Sequence, residues 1–389
     1  MRNIIIGIVI GLVCGVMAGA TVVAPSLEQA RLAQAPQTTA KDRAEALGAE
    51  DLNIAADETD AVAALKLTPA SELRLVSLFR IKVPVLGALP NRLKQALPAA
   101  TGGRLGVTLY DPGALVDAGD TFEALKSGAI DAVFAPPGQW DAQDPELQLF
   151  TAIPFGPGAN EHLAWYYHGG GQALFQNAMK KQGVHALLCG AIPPEASGWY
   201  RTPIRTAKDF KGKTIRAFGL GGDVLAKLEV NVERLDAGGI LVGFETGRLD
   251  GAEYSLPSVD AELGFQKFAR QYYFPGWHQP VTLFTLAVNE RIWQGLPAYE
   301  RAAIETICGD NVRHALAEAD ASQFEALKKL SLDGIQVRRW PDEVLKALET
   351  AWKEVAREHA TNHQGFAAAW TSLQRFRRDY AIWHEISRF

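Results

Sequence analysis

From Leu73 onward the chain alternates short apolar runs with stretches of helical spacing, and this alternation constrains its fold most. LRLVSL reads as a strand, Leu86 to Ala99 as a helix and RLGVTLY as the next strand. A helix at Asp120 to Ser127 and the strand AIDAVFA follow, with HALLCGAI and KTIRAF as later strands. Apolar strands separated by helices predict α/β lobes with largely parallel sheets. Tyr299 to Lys329 and Pro341 to Phe389 read as long amphipathic helices. At 389 residues the chain is long for one core, so two lobes are expected. The pattern assigns 71–190 and 281–330 to a first lobe, to which the run VTLFTLAVN returns. Residues 191–280 make the second lobe, and 331–389 make C-terminal helices packing across both. Two lobes joined by crossing strands form a cleft that opens and closes on a ligand.

The N-terminus has a different character. Arg2 precedes an almost uninterrupted apolar run from Ile4 to Val23. Its length suits a membrane-spanning helix, which needs roughly 20 apolar residues. It also ends in Ala18-Gly19-Ala20, small residues of the kind a signal peptidase reads. Residues 1–24 are therefore read as a membrane anchor or signal peptide, and the rest of the chain as exported. Residues 25–70, rich in Ala, Gln, Glu and Asp, have the composition of a flexible tether. The net charge of -5 gives no electrostatic reason to expect nucleic acid. Cys189 and Cys308 are too few for a disulfide framework, and each sits in an apolar run, so buried free thiols are expected.

Several strings carry candidate chemistry. KTIRAFGLGGDVLAKL, Lys213 to Leu228, reads as strand, glycine turn and helix, which can hold an anion or simply connect two elements. Gly219 and Gly221 fit a dinucleotide fingerprint, but Val224 stands where its third small residue belongs. Arg216 inside the apolar strand needs a partner, because an unpaired buried charge is costly. Its planar fork matches a carboxylate. Asp223, in the first turn of the following helix, is read as serving the helix dipole. HGGG, His168 to Gly171, copies an esterase string without the G-x-S-x-G elbow that must accompany it, and reads as a helix-entry turn. His359 and His363 are four apart, but Ala360 stands where a zincin carries glutamate. Hydrolase and dehydrogenase readings lack their parts. Glu195 in PPEASGW, Glu253 and Tyr254 in DGAEYSLPSVD, and Gln279 in PGWHQP offer oxygen donors. Such donors suit hard cations such as sodium or calcium, although spacing alone does not bring these residues together.

The chain from about Leu73 to Phe389 resembles the extracytoplasmic solute-binding subunits of TRAP transporters (tripartite ATP-independent periplasmic transporters). TGGRLGV, GDTFEALKSGAIDAVFA, DPELQLFTAIPFG with WYYHGGG, SGWYRTPIRTAKDFKGKTIRAFGLGGDVL and LGFQKFARQYYFPGWHQP carry the resemblance. PGWH and GLGG are most similar to the branch that carries 2-oxo or 2-hydroxy acids together with a cation. The resemblance implies an α/β, two-lobe periplasmic binding protein fold with a central ligand cleft and no catalytic residues. A small organic acid, a 2-oxo or 2-hydroxy monocarboxylate, would be captured by cleft closure and handed to the TRAP membrane subunits.

Arg216 stands where the family's arginine clamps the ligand carboxylate. In the cation-using branch a Gln in a Q-M-G-G-W string, a Glu-Trp pair and a Glu after PGWH surround the metal. Here Glu195, Glu253 with Tyr254, and Gln279 take those places. One amide has become a carboxylate and one carboxylate an amide, so a sodium or calcium site of unchanged charge count is the expectation. Gly138-Gln139-Trp140 stands where the family often carries two tyrosines before a tryptophan, which implies a larger or more polar pocket with Gln139 facing it. Trp199 and Trp277 are read as pocket walls, with core packing as the alternative. The resemblance also allows a homodimer. A periplasmic location follows, at the inner membrane if residues 4–23 are retained, and a membrane-tethered sensor or scaffold on the same fold is the rival reading.

Overall fold

The computed structural model describes residues 71–387. The apolar run and tether, with their readings as anchor or signal, lie outside the described residues. Among the described residues no helix is long and apolar enough to cross a membrane.

Two sheets organise the chain. The first contains β1 (Ser71–Ser77), β2 (Leu105–Tyr110), β3 (Ala132–Ala135), β4 (Val184–Ile192) and β10 (Thr282–Asn289), in the order β2-β1-β3-β10-β4. Helices α1 (Ala88–Ala100), α2 (Thr121–Ser127), α3 (Ala159–His168) and α4 (Gly171–Lys181) alternate with its strands. β3 and β10 are buried at every position, which is why β3 reads as an unbroken apolar run and β10 as a largely apolar one, its two threonines and Asn289 buried as well.

The second sheet contains β5 (Gly198–Tyr200), β6 (Thr214–Arg216), β7 (Asn231–Glu233), β8 (Gly251–Ala252), β9 (Gln271–Phe274) and β11 (Gln336–Arg339), in the order β11-β9-β5-β8-β6-β7. α5 (Gly219–Lys227), α6 (Ala237–Glu245) and α7 (Pro257–Leu263) connect its strands. After β10 come α8 (Glu290–Gly295) and three long helices, α9 (Ala298–Leu332), α10 (Asp342–Asn362) and α11 (Gln364–Ser387).

The expectation of largely parallel sheets needs correction. β1 pairs in parallel with β2 and β3, but β10 runs antiparallel to both β3 and β4. β5 is likewise antiparallel to β8 and β9. The cause is the chain's route: β4 leaves the first sheet, and β10 re-enters beside it from the opposite direction. An apolar run does not record its own direction, so the sequence pattern could not show this.

The expectation that residues 331–389 are all helix needs correction, since β11 joins the second sheet beside β9. The amphipathic stretch that begins at Pro341 is two helices, α10 and α11. Backbone at His363 turns extended, and Gly365 opens α11 against a buried carboxylate: a Cβ there would lie 2.4 Å from Glu146 Oε2. α10 packs on α5, while α11 packs on α3 and α4. Each thus braces a different lobe.

The expectation of free thiols is overturned. Cys189 on β4 and Cys308 on α9 form a disulfide across 119 residues of sequence. α9 presents Ile304, Ile307, Cys308, Val312 and Ala315 as one buried face, the helical repeat of an amphipathic stripe laid on the sheet. The bridge lies in that face. Closing so long a loop stabilises a fold by roughly 2–5 kcal/mol in the chain-entropy account. Alkylation of denatured but unreduced protein should leave Cys189 and Cys308 unlabelled, and Cys308→Ser should lower the thermal midpoint; labelling of both thiols would remove the bridge.

Candidate functional site

β6 ends at Arg216, which the sheet buries to 7 % exposure. Three protein oxygens fix its guanidinium. Nε donates to the Leu235 carbonyl at 2.9 Å, and Nη1 donates to the Glu253 carbonyl at 2.7 Å and to Glu253 Oε1 at 2.9 Å. The Tyr254 ring lies 5.3 Å beneath it. Nη2 has no protein hydrogen bond among the described residues. The two-nitrogen fork drawn from the sequence is therefore mostly occupied, and one nitrogen with two hydrogens remains for a guest.

Arg216 lines a cleft of about 350 Å³ between the two lobes. Phe79, Phe122 and Phe284 line it from the first lobe, and Tyr254 and Phe218 from the second. Glu195, Gln279, Thr282 and Ser255 form a polar pole in the same cleft. Glu195 Oε1 accepts from Gln279 Nε2 at 3.0 Å and from Thr282 Oγ1 at 2.5 Å. The other oxygen, Oε2, has no partner among the described residues, and neither has Gln279 Oε1. Gln139 also lines the cleft and is exposed. At its rim, Arg234 of the second lobe donates to Asp141 of the first at 2.8 Å.

Glu253 lies directly behind Arg216. Its Oε1 also accepts from the Phe218 amide at 2.5 Å, at the entry to α5. Oε2 lies 3.4 Å from His278 Nε2 without hydrogen-bond geometry. Glu195, Glu253 and His278 are all buried, and each offers an atom within 4.8 Å of the others. So the structure brings together Arg216, Glu195, Glu253, Tyr254 and Gln279, residues spread over 84 positions between Glu195 and Gln279. His278 and Thr282 join them unforeseen.

Trp199 does not line the cleft. Its indole is fully buried, stacks on Tyr272 at 3.9 Å between centroids, and donates from Nε1 to Asp260 Oδ2 at 2.9 Å. Trp277 also packs away from it, on Phe155 at 5.7 Å. Both are core residues here. Asp223 pairs with His359 Nε2 at 2.9 Å, which ties α5 to α10 and corrects its reading as a residue serving the helix dipole alone. The HGGG string joins α3 to α4.

Burial sets the protonation of the site's acids. Burial, aided by nearby Glu253, raises the Glu195 carboxyl well above the ordinary carboxylate range. Glu253 would be raised by burial too, but the Arg216 guanidinium and then His278 outweigh it and hold it below that range. Asp260 accepts from the Ser255 amide, Trp199 and Tyr272, yet burial still pushes it up to about 7.

Residues 81–363 match the model of a family described as bacterial extracellular solute-binding protein, family 7. A monocarboxylate 2-oxoacid-binding periplasmic protein of Nostoc sp. is 29% identical over 287 residues, covering 74% of this chain and 79% of that protein. Among solved structures, a TRAP transporter solute-binding protein of Bordetella bronchiseptica, with copurified calcium and picolinate, is 29% identical with a TM-score of 0.80. That similarity covers 82% of this chain and 95% of the other. A TRAP periplasmic solute-binding protein of Pseudoalteromonas atlantica, with bound sodium and pyruvate, is 25% identical with a TM-score of 0.78, covering 81% and 96%. One of Colwellia psychrerythraea, with bound calcium and pyruvate, gives 25% and 0.78, covering 82% and 97%.

The acids predict a pH dependence. Asp260 has a folded pKa of about 7 against 3.8 for the unconstrained group, so the folded state holds its proton more tightly. Stability then falls as pH rises from about 4 and levels off above about 7. Glu195 acts in the same direction, whereas the contribution of Glu253 is lost only as pH falls below its ordinary range. Urea unfolding of chelated, ligand-free protein should show stability declining from pH 5 to 7. Asp260→Asn should flatten that decline; an unchanged slope would separate Asp260 from it.

Proposed function

We propose, since the chain belongs to bacterial extracellular solute-binding protein family 7 and is a TRAP-type solute-binding receptor, that its cleft captures a small 2-oxo or 2-hydroxy monocarboxylate by closing on it and delivers it unaltered to membrane subunits. The observation that carries this reading is the state of Arg216. A guanidinium held by Leu235 and Glu253, with one nitrogen free at the cleft, is a preorganised carboxylate clamp. Receptors with bound pyruvate or picolinate are similar in fold and sequence, which supports the choice of ligand class.

The residues fit a cation beside the acid. Glu195 Oε2, Glu253 Oε2 and Gln279 Oε1 are buried oxygens without partners, and Glu195 sits where its charged form is disfavoured. A cation there relieves both conditions. Glu195, Glu253, Gln279 and the Tyr254 carbonyl are the groups that would hold it. When bound it supplies positive charge to a second ligand oxygen, while Arg216 orients the carboxylate. The sodium or calcium in the similar receptors supports this pairing.

The cleft exceeds what a three-carbon acid fills, and its aromatic lining favours an acid with a bulkier apolar tail. Gln139 at the open side offers a hydrogen bond to such a tail. Closure brings residues 71–190 and 281–330 against 191–280, with α10 and α11 strapped across both, and the Arg234–Asp141 pair spans the rim in the closed form. The family is extracellular, and the Cys189–Cys308 bridge suits an oxidising compartment such as the periplasm.

Calorimetric titration with a series of 2-oxo monocarboxylates tests the clamp. Arg216→Lys replaces a fixed planar group with a single flexible ammonium, and should weaken binding at least about tenfold, or about 1.4 kcal/mol. Full affinity in that variant would overturn the reading. Arg234→Ala leaves the clamp intact and removes the rim pair, so stopped-flow release should quicken while the preference among acids stays unchanged.

A further inference from the structure

Resting on the reading of the chain as a TRAP receptor, we propose that the open edge of β11 docks a membrane subunit, by taking up an extended acidic segment of it as the next strand of the second sheet.

β11 stands at one end of that sheet and pairs with β9 alone. The Gln336 amide donates to the Arg270 carbonyl at 2.8 Å, and the Trp340 amide donates to the Phe274 carbonyl at 2.8 Å. Backbone groups alternate in direction along a strand, so the even-numbered residues face β9 while Val337 and Arg339 turn their amides and carbonyls outward. Among the described residues those outward groups have no hydrogen-bond partner in another element. The first sheet treats its end strand β4 differently. There Gln176 Nε2, from α4, donates to the Ala186 carbonyl and stoppers the edge. β11 carries no such stopper, and an unpaired edge is a template for another strand.

A pocket of about 380 Å³ runs beside it and touches Val337, Arg338 and Arg339 in succession. Neighbouring side chains of a strand point to opposite faces, so three in a row meet one pocket along the edge. Pro203, Ile204 and Arg205 form the other wall. Tyr273 of β9 fixes that wall to the sheet, its hydroxyl donating to the Ile204 carbonyl at 3.0 Å and accepting from the Ile204 amide at 2.9 Å. Three arginines line the pocket and no carboxylate does, in a chain whose net charge is -5. The nearby Asp209 carboxylate is committed to the Arg205 and Thr206 amides.

A charged edge also discourages self-pairing, but charge of either sign serves that purpose. Here the charges are all guanidinium groups, whose planar forks match carboxylates. Val337 argues against a mere guard, because an apolar side chain 45 % exposed stands in the middle of the edge. An added strand would set an apolar residue beside Val337 and acids beside Arg338 and Arg339. A phospholipid headgroup would engage the arginines and leave Val337 and the outward amides unmet. The edge therefore fits an extended acidic peptide better than a lipid surface.

Hydrogen exchange resolved at single amides tests this on the full chain, mixed with detergent-solubilised TRAP membrane subunits or, separately, with phosphatidylglycerol vesicles. The Val337 and Arg339 amides should exchange at least about tenfold more slowly with the subunits and at an unchanged rate with the vesicles. Arg339→Glu keeps a charged edge but reverses its sign, and should weaken association with the subunits at least about tenfold in surface-plasmon titration. Val337→Pro deletes one outward amide while sparing the bonds to β9, and should weaken it at least about threefold. Both variants should bind 2-oxo acids like the wild type, since neither residue lines the cleft. No association, a complex that leaves both amides unprotected, protection by vesicles alone, or wild-type association in both variants would each overturn the proposal. A receptor that binds 2-oxo acids but gains no protection fails this inference only, and a protected edge on a receptor that ignores every acid fails the transport reading only.

Discussion

The cleft depends on one buried ion pair. Arg216 and Glu253 are 8 % and 4 % exposed at their side chains, and a pair that dry is stable only if every remaining hydrogen and lone pair is matched. The protein matches most of them from the backbone: Leu235 and Glu253 carbonyls for the arginine, the Phe218 amide for the glutamate. What is left over is directional. One guanidinium nitrogen and one carboxylate oxygen remain open, and they are opposite in charge. A guest with an acid group satisfies the first, and a cation satisfies the second.

The same pair couples the site to the second lobe's fold. Arg216 ends β6, Glu253 follows β8, and those strands are parallel neighbours. The Phe218 amide that binds Glu253 stands at the start of α5, whose far face packs on α10. Loss of either charge would strand the other in a low-dielectric interior and loosen this packing. A strand end, a helix entry and the proposed ligand clamp are therefore a single electrostatic unit.

Residue pattern made the strands, most helices and the arginine legible, because each leaves a periodic or compositional trace in a short window. Strand direction leaves none, so the antiparallel return of β10 was hidden. Cys189 and Cys308 each read as ordinary apolar neighbours, since nothing local says that β4 faces α9. Trp199 had the look of a pocket wall, but it is held inward by Asp260, whose own position at the start of α7 suggests only a dipole role. His278 was harder still. The seat of its ring is Gly221, more than fifty residues earlier, and a glycine in the first turn of a helix is equally at home in many connections.

The exchange of carboxylate and amide between positions 195 and 279 that the family resemblance implies has a simple structural reason to be tolerated. The two side chains share one hydrogen bond, 3.0 Å from Gln279 Nε2 to Glu195 Oε1. Reversing which partner is the acid reverses donor and acceptor and leaves the contact whole. Thr282 adjusts, since its hydroxyl donates to Glu195 while accepting from Gln279. What does change is where the negative charge resides. It moves onto a side chain whose second oxygen is unmet and which lies close to Glu253 and His278, so two acids and an imidazole gather in one cluster with the amide hydrogen-bonded beside them.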